Sequence, residues 1–242
     1  LLIKFLKKKK ISYSEFKGNI NNSSELKLWI NSNQDIKYFF HFAAISSPFV
    51  SESNKKLTKL TNIKSLENLI NLLEKRKVWF FFPSTSHVYK SSNKEISENF
   101  KLKPSNYYGK TKLVGENILR KKKNSKLKVC IGRIFSVYHK NQKIPFLLPS
   151  IKAKVKKDSV KRIKIKNGNS IRDFNNADKI IKIIYKLSSL EANGIYNIGT
   201  GYGQSIVNFL KKEIKTKKIF IPIGKKNSIV ANIKKLKNKL NE

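Results

Sequence analysis

VWFFFP, residues 78–83, is a six-residue run without a polar side chain. Short aromatic and β-branched runs of this kind suit a strand buried on both faces, as in a parallel sheet covered by helices. Two runs of the same texture flank it, IKYFFHFAA at 36–44 and KVCIGRIF at 128–135. Between them lie segments with helical spacing. Leu57, Leu60, Ile63, Leu66, Leu69, Ile70 and Leu73 recur every three or four residues, a single apolar stripe with lysines opposite. Residues 106–120 and 178–190 predict two further helices. Alternating strands and helices predict an α/β fold, a doubly wound parallel sheet with right-handed crossovers and ligands at the strands' carboxyl ends.

From about residue 140 the texture shifts to shorter pieces, IPFLLPSIKAKV, RIKIKNGNSIRDF and GIYNIGTGYGQS. A smaller second lobe is expected there, with the division at 1–140 and 141–242. The charge runs KKKK at 7–10 and KKK at 121–123 read as solvated helix ends.

Of the 242 residues, 53 are Lys or Arg and 15 are Asp or Glu, a formal charge of +38. That balance raises nucleic-acid binding as a possibility. Only five of the basic residues are arginine, the usual reader of bases, and the lysines are spread over every segment. A coding bias toward A and T explains such a spread, and the positive field still favours anionic substrates. The single cysteine, Cys130, excludes an internal disulfide framework. His41, His87 and His139 show no metal-ligand spacing, so no metal site is expected. No apolar run approaches the ~20 residues of a membrane span, and a soluble, cytoplasmic protein is expected.

Two features carry candidate chemistry. Gly199, Gly201 and Gly203 follow a predicted strand and precede the helical SIVNFLKKEI, yet the spacing is poor for a dinucleotide loop. A plain strand-to-helix turn suits these glycines better. Tyr108 and Lys112 lie four apart on a predicted helix and share a face. An ammonium beside a tyrosine favours the phenolate, which serves acid/base work. The spacing alone is no more than chance delivers, and Tyr13 with Lys17 repeats it. The second pair differs in its surroundings, because the strand VWFFF ends in Pro83, Ser84, Thr85 and Ser86. Hydroxyl, tyrosine and lysine together can bind and protonate a carbonyl oxygen.

HFAAISSP (41–48), Asn62 in LTNIKSLENLI, PSTSHVY (83–89), NYYGKTKLVGE (106–116), RIFSVY (133–138), SIRDFNNAD (170–178) and GIYNIGTG (194–201) occur in this order. Together they resemble the extended short-chain dehydrogenase/reductases, in particular the NAD-dependent epimerase/dehydratase branch that acts on nucleotide sugars. KKNSIVANIKKLKNKL near the end resembles that family's closing segment. The resemblance implies a Rossmann-like NAD(P)-binding domain over 1–140 and a smaller substrate-binding lobe over 141–242. By position it implies that Thr85 hydrogen-bonds the sugar oxygen, Tyr108 is the general acid/base and Lys112 binds cofactor ribose. Asn19, Ile20, Ala43, Ala44 and Ser84 would join Tyr108 and Lys112 around the cofactor, with Asn62 bracing the strand at Ala43. Thr85, Ser136 and Arg172 would contact the substrate, Arg172 gripping its diphosphate through paired donors.

The departures from the family pattern carry expectations of their own. The family's Gly-x-x-Gly-x-x-Gly phosphate loop is absent, LLIKFLKKKK resembles the helix that follows it, and Asn19 in GNI replaces an aspartate. The chain is therefore expected to be a fragment lacking a first strand and loop, with Glu15 as the one acidic candidate for the adenosine ribose. Lys90 and His139 replace common glycines. Dehydratase members follow the strand-end Thr with Asp and Glu, whereas Ser86 and His87 stand here. The expected activity is thus epimerisation or keto-reduction of a nucleotide-diphosphate sugar with NAD or NADP, without dehydration. A non-catalytic NAD(P)-binding regulatory protein and a basic nucleic-acid-binding protein are the alternatives, and a homodimer is left open.

Overall fold

The computed structural model describes residues 1–121, 126–157 and 161–242. The first half runs α1 (Leu2–Lys8), α2 (Ser23–Ser32), β1 (Tyr38–Phe40), α3 (Pro48–Ser53) and α4 (Lys55–Lys59). A π-helical turn (Leu60–Lys64), α5 (Ser65–Leu73), β2 (Trp79–Thr85), a 3-10 turn (Ser86–Val88), α6 (Tyr107–Lys121) and β3 (Lys128–Ile134) follow. Then come β4 (Val137–Tyr138), α7 (Leu147–Val155), β5 (Arg162–Lys166), β6 (Ile171–Arg172), β7 (Asn175–Asn176) and α8 (Ala177–Ser189). The chain closes with β8 (Gly194–Ile198), β9 (Gln204–Ser205), α9 (Ile206–Glu213), β10 (Ile219–Ile223), β11 (Ser228–Ile229) and α10 (Lys234–Leu240).

The main sheet has the order β1-β2-β3-β8 and every pairing in it is parallel. β2 explains the architecture, because successive side chains of a strand point to opposite faces. Phe80 and Phe82 pack with Leu26, Ile30, Leu66, Leu69, Ile70 and Leu73 under α2 and α5. Trp79 and Phe81 pack on the other face with Ile180, Ile184, Leu187, Leu236 and Leu240 from α8 and α10. The expected doubly wound α/β fold is therefore present, with both faces of the sheet covered by helices. Burying each of these aromatic rings stabilises the fold by about 2 kcal/mol.

The IKYFFHFAA run contributes only three strand residues, Tyr38–Phe40. The reason is local: His41 N still donates to Phe81 O, but Asn62 takes over the backbone at Ile45. Ser47 then caps α3, with Pro48 in its first turn.

The apolar stripe expected over 57–73 does not stay on one face. Leu57 and Leu60 are 42% and 44% exposed, whereas Thr58, Thr61, Asn62 and Ser65 are buried. The π-helical turn accounts for the change, since its wider step rotates the helix face between α4 and α5. Polar residues thereby turn inward, where Asn62 meets Ile45 and Thr111 of α6.

Residues 177–198, beyond the expected division at 140, return to the main sheet as α8 and β8. A separate core joins α7, β5, α9 and β10 through Leu148, Ile151, Ile163, Ile165, Val207, Phe209, Leu210 and Phe220. Lys7 and Lys8 lie in the last turn of α1, and Lys121 ends α6, while residues 122 and 123 of the second charge run lie outside the described residues. Of the described lysines only Lys112 is buried, so the positive charge is carried at the surface.

Candidate active site

β2 ends at Thr85, and α6 begins two residues before Gly109. Asn106 starts that helix: its Oδ1 accepts from Gly109 N at 2.8 Å, a side-chain cap. Gly109 lets the helix approach the strand end, because a Cβ there would lie 2.5 Å from the His87 carbonyl oxygen. This contact brings Tyr108 to Thr85. Thr85 faces the phenol, and this polar contact opposes the effect of burial, which pushes the Tyr108 phenol up to about 12. Thr85 also accepts from His87 N at 3.3 Å.

Lys112, one turn on from Tyr108, is buried, with Nζ 4.1 Å from the centroid of the Phe82 ring. Loss of hydration lowers its pKa to about 7, partly offset by Glu116. Its charge is also felt by His41, which burial holds near 3. The expected effect of Lys112 on the tyrosine is thus outweighed in this geometry, where burial and Thr85 govern Tyr108.

Ala43 is exposed and Ala44 half-buried at the carboxyl end of β1. Asn62 holds this segment from the π-helical turn: Oδ1 accepts from Ile45 N at 2.8 Å and Nδ2 donates to Ile45 O at 3.0 Å. The same Nδ2 reaches Thr111 Oγ1 on α6 at 3.0 Å, joining the segment after β1 to the helix of Tyr108. Asn19 and Ile20 precede α2 in a turn where Asn19 O accepts from Asn22 N. Next to them Asn21 donates to Thr61 Oγ1 at 3.1 Å. Glu15 is exposed.

Ser84 is buried and its hydroxyl donates to Glu116 Oε1. Glu116 in turn accepts from Arg133, and Arg133 Nη1 donates to Tyr89 Oη and to Glu98 O, both at 2.8 Å. Tyr89 Oη donates to Asn197 Oδ1 at 2.7 Å. A buried polar chain therefore crosses β2, α6, β3 and β8 under the site. None of Glu116, Arg133 and Asn197 was singled out in the sequence. Arg133 in the apolar run KVCIGRIF was the available signal, since an arginine in a buried strand needs a partner.

Arg172 is half-buried on β6, and its Nη1 donates to Ile171 O at 2.7 Å and Asn227 O at 3.4 Å. No carboxylate pairs with it among the described residues. Burial lowers its pKa, and its charge reaches His87. Ser136 is half-buried and accepts from Asn175 N at 2.7 Å through its carbonyl. The glycines at 199–203 form the turn between β8 and β9, and Asp173 accepts from Thr200 N, Thr200 Oγ1 and Gly201 N there. Gly201 takes φ +73°, which suits glycine. Lys90 and His139 have no left-handed backbone, so neither turn needs the glycine they replace.

The match to known proteins agrees with this geometry. Residues 5–199 match the NAD dependent epimerase/dehydratase family. The chain belongs to that family. A GDP-6-deoxy-D-talose 4-dehydrogenase from Aggregatibacter actinomycetemcomitans is 32% identical over 199 residues, which cover 76% of this chain. The chain spans 66% of that relative's length, just under two thirds. A mutant UDP-glucuronic acid 4-epimerase from Bacillus cereus, solved with UDP-4-deoxy-4-fluoro-glucuronic acid and NAD, is 26% identical with a TM-score of 0.80. The match covers 93% of this chain and 74% of that one. A dTDP-4-dehydrorhamnose reductase from Bacillus anthracis, solved with NADP, superposes with a TM-score of 0.85 at 18% identity over 98% of this chain and 87% of its own. In this epimerase/dehydratase chain no group of three potential metal ligands occurs among the described residues. Nor is any helix among them long and apolar enough to cross a membrane.

Proposed function

We propose that this chain belongs to an NAD(P)-dependent enzyme that epimerises or keto-reduces a nucleotide-diphosphate sugar. The observation that carries the reading is the close approach of α6 to the carboxyl end of β2 at Gly109, which sets Tyr108 beside Thr85, with Lys112 buried one turn further along α6.

The residues fit a dinucleotide in three places. Ala43 leaves room beside the clamped Ile45 segment, and Lys112 is a buried amine whose N–H groups suit ribose hydroxyls. Asn21 Oδ1 is the only buried side-chain polar atom without a partner among the described residues, an acceptor suited to an adenine amino group. No Gly-x-x-Gly-x-x-Gly pattern occurs in the 242 residues, so the pyrophosphate is not assigned a cradle. The nicotinamide, when bound, supplies the hydride acceptor and donor.

Thr85 then holds the oxygen on the reacting sugar carbon, and Tyr108 exchanges a proton with it. With its pKa near 12, Tyr108 is a phenol at neutral pH and stands ready to protonate a carbonyl oxygen as hydride reaches the carbon. In the oxidative direction the Tyr108 phenolate oxygen takes that proton back from the sugar hydroxyl as hydride leaves the carbon. Arg172 supplies an unpaired cation for the diphosphate, beside a groove of about 600 Å³ lined by Ile171, Asn227 and Val230. Ser86 is not a carboxylic acid, and dehydration is not proposed.

The test incubates the chain with NAD(H) or NADP(H) and a panel of nucleotide hexoses and their 4-keto forms, with products read by mass and chromatography. Epimer or alcohol products, lost on Tyr108→Phe by about 10²- to 10⁴-fold, are expected. A 4-keto-6-deoxy product formed at a catalytic rate, or an unimpaired Tyr108→Phe enzyme, refutes the reading.

A further inference from the structure

His87 occupies the 3-10 turn two residues beyond Thr85, and its ring stands edge-on to Tyr108 with centroids 6.1 Å apart. Its Nδ1 lies 2.8 Å from Asn106 Nδ2. Which of the two carries the shared proton is decided on α6. Asn106 Oδ1 is taken by the Gly109 N–H at 2.8 Å, so the amide presents its NH₂ to the imidazole. An NH₂ group only donates, which makes Nδ1 the acceptor and places the ring proton on Nε2. The helix cap thus sets the tautomer.

Nε2 has no protein partner among the described residues. It is not a buried unpaired atom either, since Asn21 Oδ1 is the only one, so Nε2 opens to solvent. Burial, reinforced by the Arg172 charge, holds the ring pKa to about 4, and the imidazole is neutral at pH 7. A neutral Nε2–H has no lone pair at that nitrogen and donates rather than accepts.

We propose that His87 donates a hydrogen bond from neutral Nε2–H to a sugar oxygen next to the one held by Thr85 and Tyr108, with Asn106 as the residue that positions it. The proposal rests on the nucleotide-sugar reading above. A sugar oxygen is favoured over the diphosphate because the ring abuts Tyr108 and lies two residues from Thr85, while Arg172 already provides the charge a phosphate requires. His87 would then sort sugars by the presence or placement of one oxygen, as buried donors do when the matching acceptor is missing.

The experiment has two arms on the full chain. Nitrogen-15 spectra of the imidazoles at pH 7 should show His87 with a bare Nδ1 and a protonated Nε2. Asn106→Asp keeps the cap on Gly109 but offers Nδ1 an acceptor, so the spectrum should move to a proton on Nδ1. Calorimetry then compares UDP-glucose, GDP-mannose and dTDP-glucose, each with its free nucleoside diphosphate. For the sugar that the native chain binds, His87→Leu and Asn106→Asp should lose about tenfold in affinity. His87→Gln, which retains an N–H donor, should stay within about threefold, and the free diphosphate should bind all variants alike. A native His87 protonated on Nδ1, an unchanged sugar affinity in His87→Leu, or an equal loss for the free diphosphate overturns the proposal. A native chain that binds none of the probes overturns the nucleotide-sugar reading, and this proposal with it.

Discussion

Arg133 grips both carboxylate oxygens of Glu116, with Nε at 3.0 and 3.2 Å and Nη2 at 2.6 Å, and both side chains are withdrawn from solvent. The pair ties β3 to α6 one turn below Lys112, so it fixes the helix that carries Tyr108. Removing one charge from a buried pair leaves the other uncompensated, which costs about 3–5 kcal/mol. Glu116→Gln should therefore lower the unfolding free energy, read from urea denaturation, by that amount, and Glu116→Gln combined with Arg133→Met should recover part of the loss. A Glu116→Gln chain as stable as the native one would show that water reaches the site.

Acid stability should depend on His41. Its ring stacks on Phe80 and Phe82, with centroids 6.1 and 6.3 Å away, and stays neutral down to about pH 3. The unfolded chain takes up a proton near pH 6.5 that the folded chain refuses until about pH 3. Stability is consequently lost as pH falls from 6.5 toward 3. His41→Phe should match the native chain at pH 7 and exceed it by up to about 3–4 kcal/mol near pH 4, read from urea unfolding at both values. Parallel losses in the two chains would assign acid sensitivity to other groups.

The sheet was legible because VWFFF alternates between two cores without a polar residue, and no competing pattern explains it. Tyr108, Lys112 and Thr85 were legible through motif and order, since four-residue spacing by itself also selects Tyr13 and Lys17. The rest depended on contacts distant in sequence. Whether Leu57 or Thr58 is buried is decided by a π-helical turn that periodicity does not reveal. The partnership of Glu116 with Arg133 spans a helix and a strand. The return of residues 177–198 to the main sheet was hidden because strand order is not written in local texture. His87 was visible as a residue type, but its tautomer depends on Asn106 and Gly109.

Arg172 separates two kinds of ligand. It stands on β6, outside the β1-β2-β3-β8 sheet, and is held by backbone carbonyls, with no carboxylate partner among the described residues. Arg172→Leu should weaken nucleotide-sugar binding by about 10- to 100-fold, the worth of charge-assisted hydrogen bonds. NAD(H) binding should change less than twofold. Calorimetric titration of both ligands decides this, and equal losses would make Arg172 a structural residue.

Gly109 tests whether the approach of α6 to the strand end sets the activity. A Cβ at Gly109 would meet the backbone oxygen of His87 at 2.5 Å, and backbone cannot swing aside as a side chain can. At Gly115, two turns along the same helix, the nearest obstacle is Phe82 Cζ at 2.6 Å, the tip of a side chain within the α2–α5 core. Both Ala substitutions overpack the helix and should destabilise by about 1–3 kcal/mol. Their effects on catalysis should differ. Gly109→Ala must lift the first turn of α6 from the 3-10 turn, drawing Tyr108 away from Thr85 and stretching the Asn106–His87 contact together. A displacement on that scale costs about 10²-fold in rate. Gly115→Ala leaves the first turn in place and should keep most of the turnover at a matched temperature below both melting points. Turnover and thermal melts measured on the two variants side by side check this. Equal activity losses would mean that helix position in general, and not the His87 contact, limits the reaction.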